Sequence, residues 1–108
     1  MTLALIVVAA GSGERLGSRS PKAFVEVGGQ SLLEHALQPI ASLSTPLELV
    51  VVAPQLWVEP AREISERVLN SAADIRVVPG GATRSTSVRL GLEAIGPDVN
   101  TVLIHDAA

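Results

Sequence analysis

The sequence predicts an α/β fold in which a mostly parallel, Rossmann-like sheet is flanked by helices. Continuous apolar runs of strand length are typical of parallel strands covered on both faces. Segments with helical spacing alternate with these runs, and this order favours parallel pairing through crossover helices. The chain has 108 residues, of which 47% are hydrophobic and 2% aromatic. That length accommodates one modest core, so we expect a single domain.

The first half of the chain predicts a strand, a loop and a helix. The strand is the apolar run Leu3 to Val8, which leads into a glycine-containing loop. Phe24 to Val27 is expected to be extended and to be closed by the glycine pair at 28 and 29. Ser31 to Glu34 has the S-x-x-E pattern of a capping box, which predicts a helix through about Leu43.

The second half predicts three more strands and two more helices. In chain order they are a strand at Leu47 to Ala53, a helix at Val58 to Leu69, a strand at Ile75 to Val78, a helix marked by Val88, Leu92 and Ile95 and ended by Gly96 and Pro97, and a strand at Thr101 to Ile104. Ligands of open parallel sheets lie beyond the carboxyl ends of the strands. Three segments should meet there: the loop Ala9 to Lys22, the loop Gly80 to Ser87, and the tip His105 and Asp106.

Charge and composition exclude several classes of function. The formal net charge of −3 argues against a nucleic-acid-binding role, because such binding needs a basic face. The chain has no cysteine, which rules out disulfides, zinc thiolates and a thiol nucleophile and permits a reducing compartment. The apolar N-terminus lacks a basic region before it and is too short to span a membrane. We therefore expect a cytoplasmic protein with a small-molecule partner and no membrane association.

The loop after the first strand has the composition of a phosphate-binding segment. It reads A-A-G-S-G-E-R-L-G-S-R-S-P-K from Ala9 to Lys22. Gly11 and Gly13 allow close approach of the backbone to an anion. Three cations fall within eight residues, at Arg15, Arg19 and Lys22. This combination suits a triphosphate, although Arg19 is about as well explained as a solvent-facing loop residue.

Two common nucleotide motifs do not fit this loop. A dinucleotide fingerprint requires G-x-G-x-x-G and an acidic residue after the second strand, but the third glycine, Gly17, is one place late and that strand ends at Pro54. A P-loop requires G-K-[ST], but Gly17 precedes Ser18, and the chain's one lysine is Lys22.

Four blocks carry a resemblance to a known family. They are A-A-G-S-G-E-R-L, P-K-A-F, G-G-A-T-R-S-T-S-V and I-H-D-A-A, in this order along the whole chain. The loop resembles the signature of the nucleotidyltransferase superfamily, and with the later blocks the chain resembles the 2-C-methyl-D-erythritol 4-phosphate cytidylyltransferases. The resemblance implies a fold of the nucleotide-diphospho-sugar transferase type. It also implies a reaction that joins CTP and 2-C-methyl-D-erythritol 4-phosphate and releases pyrophosphate, a step of the non-mevalonate isoprenoid pathway.

The resemblance further implies that residues 1–108 are the N-terminal, nucleotide-binding part of a single nucleotidyltransferase domain. The other half of such an enzyme carries a dimerising arm and most of the acceptor site. We therefore expect the full-length protein to be a homodimer and the isolated residues 1–108 to be inactive. Two alternatives to this function remain open. One is a different nucleotidyltransferase that acts on a sugar phosphate, and the other is a catalytically silent CTP-binding module.

The chemistry implied by the resemblance requires cations and a metal. The attacking phosphate monoester has a second pKa of about 6, so no general base is needed, and catalysis consists of positioning and charge stabilisation. Arg15 and Lys22 are the candidate catalytic residues, with solvated surface charge as the alternative. Asp106 is the candidate ligand of Mg²⁺, with a turn or helix-capping role as its alternative.

Nucleotide binding is assigned to small residues and two side chains in the first and third blocks. Cytosine presents acceptors beside a donor, which backbone groups can read: carbonyls of the alanine pair and N–H groups of the second glycine pair. The candidate residues are Ala9, Ala10, Gly11, Ser12, Gly13, Gly80, Gly81, Arg84 and Ser87. Arg84 could contact the triphosphate or brace its loop. For the segment around Ser87, the alternative is a tight turn before a helix capped by Thr83 or Ser85, which does not exclude the binding role. Glu34, His35 and Trp57 have ordinary interpretations as capping, helix-surface and packing residues.

Overall fold

The computed structural model describes residues 3–11, 20–43, 47–70 and 74–107. It contains six strands and three α-helices in these ranges: β1 Leu3–Val8, β2 Glu26–Val27, β3 Gln30–Ser31, α1 Leu32–Ala41, β4 Leu47–Ala53, α2 Val58–Leu69, β5 Asp74–Pro79, α3 Arg84–Glu93 and β6 Thr101–Asp106. Two short 3₁₀ turns, Lys22–Phe24 and Gln55–Trp57, precede β2 and α2. No helix among the described residues is long and apolar enough to cross a membrane.

The four long strands form one parallel sheet in the order β5-β4-β1-β6. The predicted parallel pairing is thus confirmed. The last residue of β1, Val8, lies opposite both Val52 of β4 and Asp106 of β6. The chain adds strands outward from β1 in one direction and then returns to its other side. Such a reversal of strand order is where ligands bind in open α/β sheets.

Strand alternation divides the core into two layers. Leu5 and Val7 of β1 face the layer that contains α1 and α2, whereas Ile6 and Val8 face the layer that contains α3. β1 is buried because helices cover both faces, which explains why its sequence is continuously apolar. On the α3 side, a Cβ on Gly91 would lie 2.9 Å from Ile6 Cγ2. The glycine therefore allows α3 to approach the sheet closely.

Several element boundaries differ from the sequence prediction. Phe24 lies in the 3₁₀ turn and not in a strand, because Phe24 and Ala23 are buried and the backbone N–H of Phe24 bonds to Pro21 O. β2 and β3 form a hairpin whose two turn glycines have φ of +66° and +83°, the conformation that tight hairpins require.

Two further boundaries differ at helix and strand ends. α1 ends at Ala41 and α3 at Glu93, both earlier than predicted, and Ile95 packs against the core beyond the end of α3. β6 continues through His105 and Asp106 because its pairing with β1 extends to Val8. β6 is an edge strand of this sheet, and Leu103 is 52% exposed.

The capping box predicted at the start of α1 is present and also joins two helices. Ser31 Oγ accepts from the backbone N–H of Glu34 at 3.1 Å, and Glu34 Oε1 accepts from the backbone N–H of Ser31 at 3.1 Å. Glu34 Oε2 pairs with Arg67 of α2 at 3.1 Å. The hydrogen bond from Ser31, with the charge of Arg67, lowers the pKa of Glu34, and partial burial opposes this shift. The carboxylate form of Glu34 therefore stabilises the fold.

We expect Glu34→Gln to lower the midpoint of thermal unfolding at neutral pH and to have a diminishing effect in acid. A carboxyl whose folded pKa is depressed contributes stability above its unfolded pKa, and this contribution is lost as the pH falls through the folded value. The melting temperatures of the wild type and the variant should therefore converge below about pH 4, under the ordinary glutamate pKa.

The matched control is Glu63→Gln, which changes an exposed glutamate of α2. Its melting temperature should stay close to that of the wild type at every pH. A Glu34→Gln difference that is constant from pH 7 to pH 3 would contradict the assigned role of the carboxylate.

Candidate functional site

A cavity of about 420 Å³ opens at the carboxyl ends of β1 and β6. It brings together eight residues that the sequence analysis assigned to the site: Ala9, Ala10, Gly11, Lys22, Gly81, Arg84, Ser87 and Asp106. Four other residues complete the described lining: Val8, Ala23, Ala82 and Thr83. Ser12, Gly13, Arg15 and Arg19 lie outside the described residues, and their assignments remain predictions.

The wall beside β1 is built from small residues because two loops touch there. The backbone N–H of Ala9 bonds to Val52 O at 2.7 Å, and that of Gly80 bonds to Ala53 O at 2.8 Å. These bonds extend the sheet hydrogen bonding past the strand ends. A Cβ on Gly80 would lie 2.5 Å from Ala10 Cβ and 2.8 Å from Ser87 Oγ. Glycine at position 80 is therefore a packing requirement, although Gly80 does not line the cavity.

The sequence analysis predicted that the N–H groups of Gly80 and Gly81 would face a base, but in the structure both have partners within the protein. The Gly80 N–H is held by Ala53 O, and the Gly81 N–H donates to Ser87 Oγ at 3.1 Å. The physical reason is burial: Ser87 is 1% exposed, and its hydroxyl needs a partner in the protein interior. The Gly81–Ser87 bond closes the loop between β5 and α3, and Ser87 lies at the floor of the cavity as part of that closure.

The same loop presents the N-terminus of α3 to the cavity. Thr83, one of the two predicted caps, is the N-cap of α3. Its Oγ1 accepts a hydrogen bond from the Thr86 N–H at 3.1 Å. Thr83 and Arg84 both line the cavity. The amino end of a helix carries partial positive charge and favours anions. Because Arg84 is the first residue of α3, its full charge adds to this partial charge.

Arg84 and Asp106 form a two-pronged ion pair across the cavity. Arg84 Nε donates to Asp106 Oδ1 at 3.0 Å, and Arg84 Nη2 donates to Oδ2 at 3.1 Å. Both side chains remain accessible, at 60% and 48% exposed. The hydrogen bonds that Arg84 donates to Asp106, followed by the negative charge of Asp106, raise the pKa of Arg84 above its ordinary value. The pair joins the third and fourth of the sequence blocks, through two residues that lie 22 positions apart in the chain.

Among its described lining residues, the cavity has one carboxylate that could bind a metal ion, that of Asp106. Among the residues with described positions, no group of three or more His, Asp or Glu side chains is arranged to hold a metal. Mg²⁺ is commonly bound by one or two carboxylates together with substrate phosphates and waters. Asp106 fits that donor set when a nucleotide supplies the remaining oxygens, and its present partner, Arg84, is itself a cation that phosphates attract.

Lys22 lines the cavity and is the first residue of the 3₁₀ turn Lys22–Phe24. Its backbone carbonyl accepts from the Val25 N–H at 3.1 Å. Ala23 and Phe24 are buried, while Lys22 is exposed. The turn therefore fixes the backbone of Lys22 and leaves its side chain exposed at the cavity lining.

Sequence reasoning missed two parts of this arrangement. Neither the pairing of Arg84 with Asp106 nor the lining role of Val8 and Ala23 has a local sequence signal, because each depends on strand register and on packing. The buried position of Ser87 has one partial signal, since Ser87 follows the Thr83 cap by four residues on the first turns of α3.

Comparison with known proteins identifies the family of the chain. Residues 3–108 match the sequence model of the family described as IspD, 2-C-methyl-D-erythritol 4-phosphate cytidylyltransferase. The chain is 48% identical over 107 residues to the bifunctional enzyme IspD/IspF of Clavibacter michiganensis subsp. michiganensis, covering 98% of this chain and 26% of that protein. It is 42% identical over 106 residues to the 2-C-methyl-D-erythritol 4-phosphate cytidylyltransferase of Streptomyces coelicolor, covering 97% of this chain and 39% of that protein.

A solved structure shows the same fold. The crystal structure of 4-diphosphocytidyl-2C-methyl-D-erythritol synthase from Anaerococcus prevotii superposes with a TM-score of 0.72 at 29% identity, covering 97% of this chain and 42% of that chain. The chain thus spans between about a quarter and half of the length of these relatives. The expected fold type is confirmed, and the chain belongs to the 2-C-methyl-D-erythritol 4-phosphate cytidylyltransferase family.

Proposed function

We propose that this chain is the CTP-binding portion of an enzyme that joins CTP to 2-C-methyl-D-erythritol 4-phosphate. The products are 4-diphosphocytidyl-2-C-methyl-D-erythritol and pyrophosphate. The observation that carries the proposal is the convergence of Lys22, Arg84 and Asp106 on one cavity at the carboxyl ends of β1 and β6. The family to which the chain belongs supplies the identity of the substrates.

The cations of the site would act on the phosphates. An oxygen of the methylerythritol phosphate attacks the α-phosphorus of CTP, and the bond to pyrophosphate breaks. Since the attacking phosphate is already an anion near neutral pH, the requirement is to hold two anions together and to stabilise the charge that develops during attack. Lys22 provides a compact charge for this purpose, and Arg15 is proposed as the second catalytic cation from its place in the loop.

The small residues around the cavity would accommodate the base. Ala9, Ala10 and Gly11 bring backbone groups to the cavity surface without bulky side chains, and the wall contributed by Gly81 and Ala82 is similarly open. Because the amides of the glycine pair have partners inside the protein, we assign recognition of the cytosine amine to carbonyl oxygens of the alanine pair.

Asp106 would hold Mg²⁺ together with oxygens of the triphosphate. A bound divalent cation neutralises phosphate charge and orients the groups that react. In the structure, Arg84 donates hydrogen bonds from Nε and Nη2 to the Asp106 carboxylate. We further propose that the full-length protein is a homodimer, as the family resemblance implies. The charge and composition of these 108 residues support a cytoplasmic protein that binds neither nucleic acid nor membranes.

We expect the protein to bind CTP·Mg²⁺ and Lys22→Ala to weaken this binding about tenfold, the loss expected for one charge-assisted phosphate contact. Isothermal titration calorimetry measures both affinities. Arg62→Ala is the matched control, since it removes a cation from α2 at a position outside the cavity lining. Equal affinities for CTP in the wild type and in Lys22→Ala would contradict the proposed site.

We expect the 108 residues by themselves to release little or no pyrophosphate from CTP and 2-C-methyl-D-erythritol 4-phosphate. The reason is that they correspond to less than half of the monofunctional cytidylyltransferase of Streptomyces coelicolor. A pyrophosphate-release assay tests this, with the complete enzyme of a relative as the positive control. If UTP or dTTP with a hexose 1-phosphate supported turnover, and CTP with methylerythritol phosphate did not, the substrate assignment would be wrong.

We expect Arg84→Gln to weaken CTP binding about fivefold, and to do so in an Asp106→Asn background as well. A direct contact between Arg84 and the triphosphate persists when its protein partner is neutral, whereas a bracing role acts only through Asp106. Calorimetry on the two single variants and the double variant measures this coupling. Loss of the Arg84 effect in the Asp106→Asn background would show that Arg84 only braces the loop.

A further inference from the structure

The chain places its only two Phe, Tyr or Trp rings in contact. It contains one Phe, one Trp and no Tyr, and the centroids of Phe24 and Trp57 are 4.6 Å apart with an interplanar angle of 37°. This separation lies in the range of favourable aromatic pairs. Aliphatic side chains fill the rest of the described core, so the aromatic pair marks one location in the fold.

That location is directly behind the Lys22 turn. Phe24 is the last residue of the turn that begins with Lys22, and only the buried Ala23 separates them. Trp57 ends the second 3₁₀ turn and stands at the N-cap position of α2. Its backbone N–H bonds to Pro54 O at 2.8 Å, which fixes the turn to the end of β4. The ring contact therefore connects the Lys22 turn to the end of a central strand.

The turn that begins with Lys22 needs such an anchor, because the side chain of Lys22 is exposed and does not pack against the core. A lysine has a flexible four-carbon stem and loses rotamer freedom when it is held in one conformation. A phosphate contact from such a side chain is reproducible only if the backbone is already fixed. Leu56 precedes Trp57 in the same turn and is 90% exposed, whereas Trp57 packs against the core. Leu56 is therefore a suitable control position.

We propose that Trp57 is a positioning residue for Lys22, acting through Phe24. The indole holds the Phe24 ring, and the Phe24 ring holds the backbone from which Lys22 extends into the cavity. This inference rests on the proposed function, because it concerns the same nucleotide site. It assigns a role in CTP binding to a residue that does not line the cavity.

The test compares CTP·Mg²⁺ affinity among variants of the aromatic pair. Trp57→Leu should weaken binding about fivefold, the size of one aromatic pair interaction. Trp57→Phe keeps a ring at this position and should restore most of the affinity, and Leu56→Ala should match the wild type. Phe24→Leu removes the same contact from the other side and should resemble Trp57→Leu. Circular dichroism identifies which variants are folded. Whichever of Trp57→Leu and Phe24→Leu is folded decides the outcome.

A double-mutant cycle with Lys22→Ala separates positioning from general destabilisation. If Trp57 acts through Lys22, Trp57→Leu should have no effect on CTP affinity in the Lys22→Ala background. An equal fivefold loss in both backgrounds overturns the inference, as does a folded Trp57→Leu or Phe24→Leu variant with wild-type affinity. Failure of the unaltered protein to bind CTP overturns the proposed function as well, so the two failures are distinguishable.

Discussion

The central position of β1 in the parallel sheet is the constraint on which the site depends. β1 pairs with β4 on one side and with β6 on the other, in register along the whole length of each pairing. Parallel register brings the carboxyl ends of neighbouring strands to the same edge. The loop that follows β1 and the tip of β6 consequently open into one cavity, together with the segment that follows β5. Burial of β1 on both faces makes this register costly to shift.

Close packing between loops is the second constraint, and it explains several small residues at once. Gly80 touches Ala10 and Ser87 so closely that a side chain would not fit. Gly91 gives α3 the same freedom against Ile6. As a result, α3 lies near the sheet with its N-terminus at the cavity. These glycines serve the approach of one element to another and do not offer free amides to a ligand.

Two opposite charges of the described site pair with each other. Arg84 and Asp106 satisfy each other with a two-pronged geometry, and both stay open to solvent. A triphosphate with its metal carries both charge signs and can engage both partners, so the pair is suited to exchange one set of contacts for another. Lys22 differs from this pair, because its neighbours Ala23 and Phe24 are buried while Lys22 itself is exposed at the cavity lining.

The sequence by itself determined the elements and their order. The apolar runs predicted β1 and β4 at their observed bounds, the S-x-x-E pattern predicted the start of α1, and the helical spacing predicted α2. These features are local, since they depend on periodicity and on hydrogen bonds between residues three or four apart. Most of the residues assigned to the cavity could also be named, because the carboxyl ends of parallel strands meet at one edge.

Tertiary structure alone decided which groups are partners. The pairing of Arg84 with Asp106, the capture of the Gly81 amide by Ser87 and the contact of Phe24 with Trp57 all form between side chains or loops that packing brings together. Whether such contacts form depends on the relative positions of helices, turns and strands to within a few tenths of an ångström. Local sequence patterns carry no information at that scale, because the same pattern is compatible with many ways of seating a helix or a turn against the sheet.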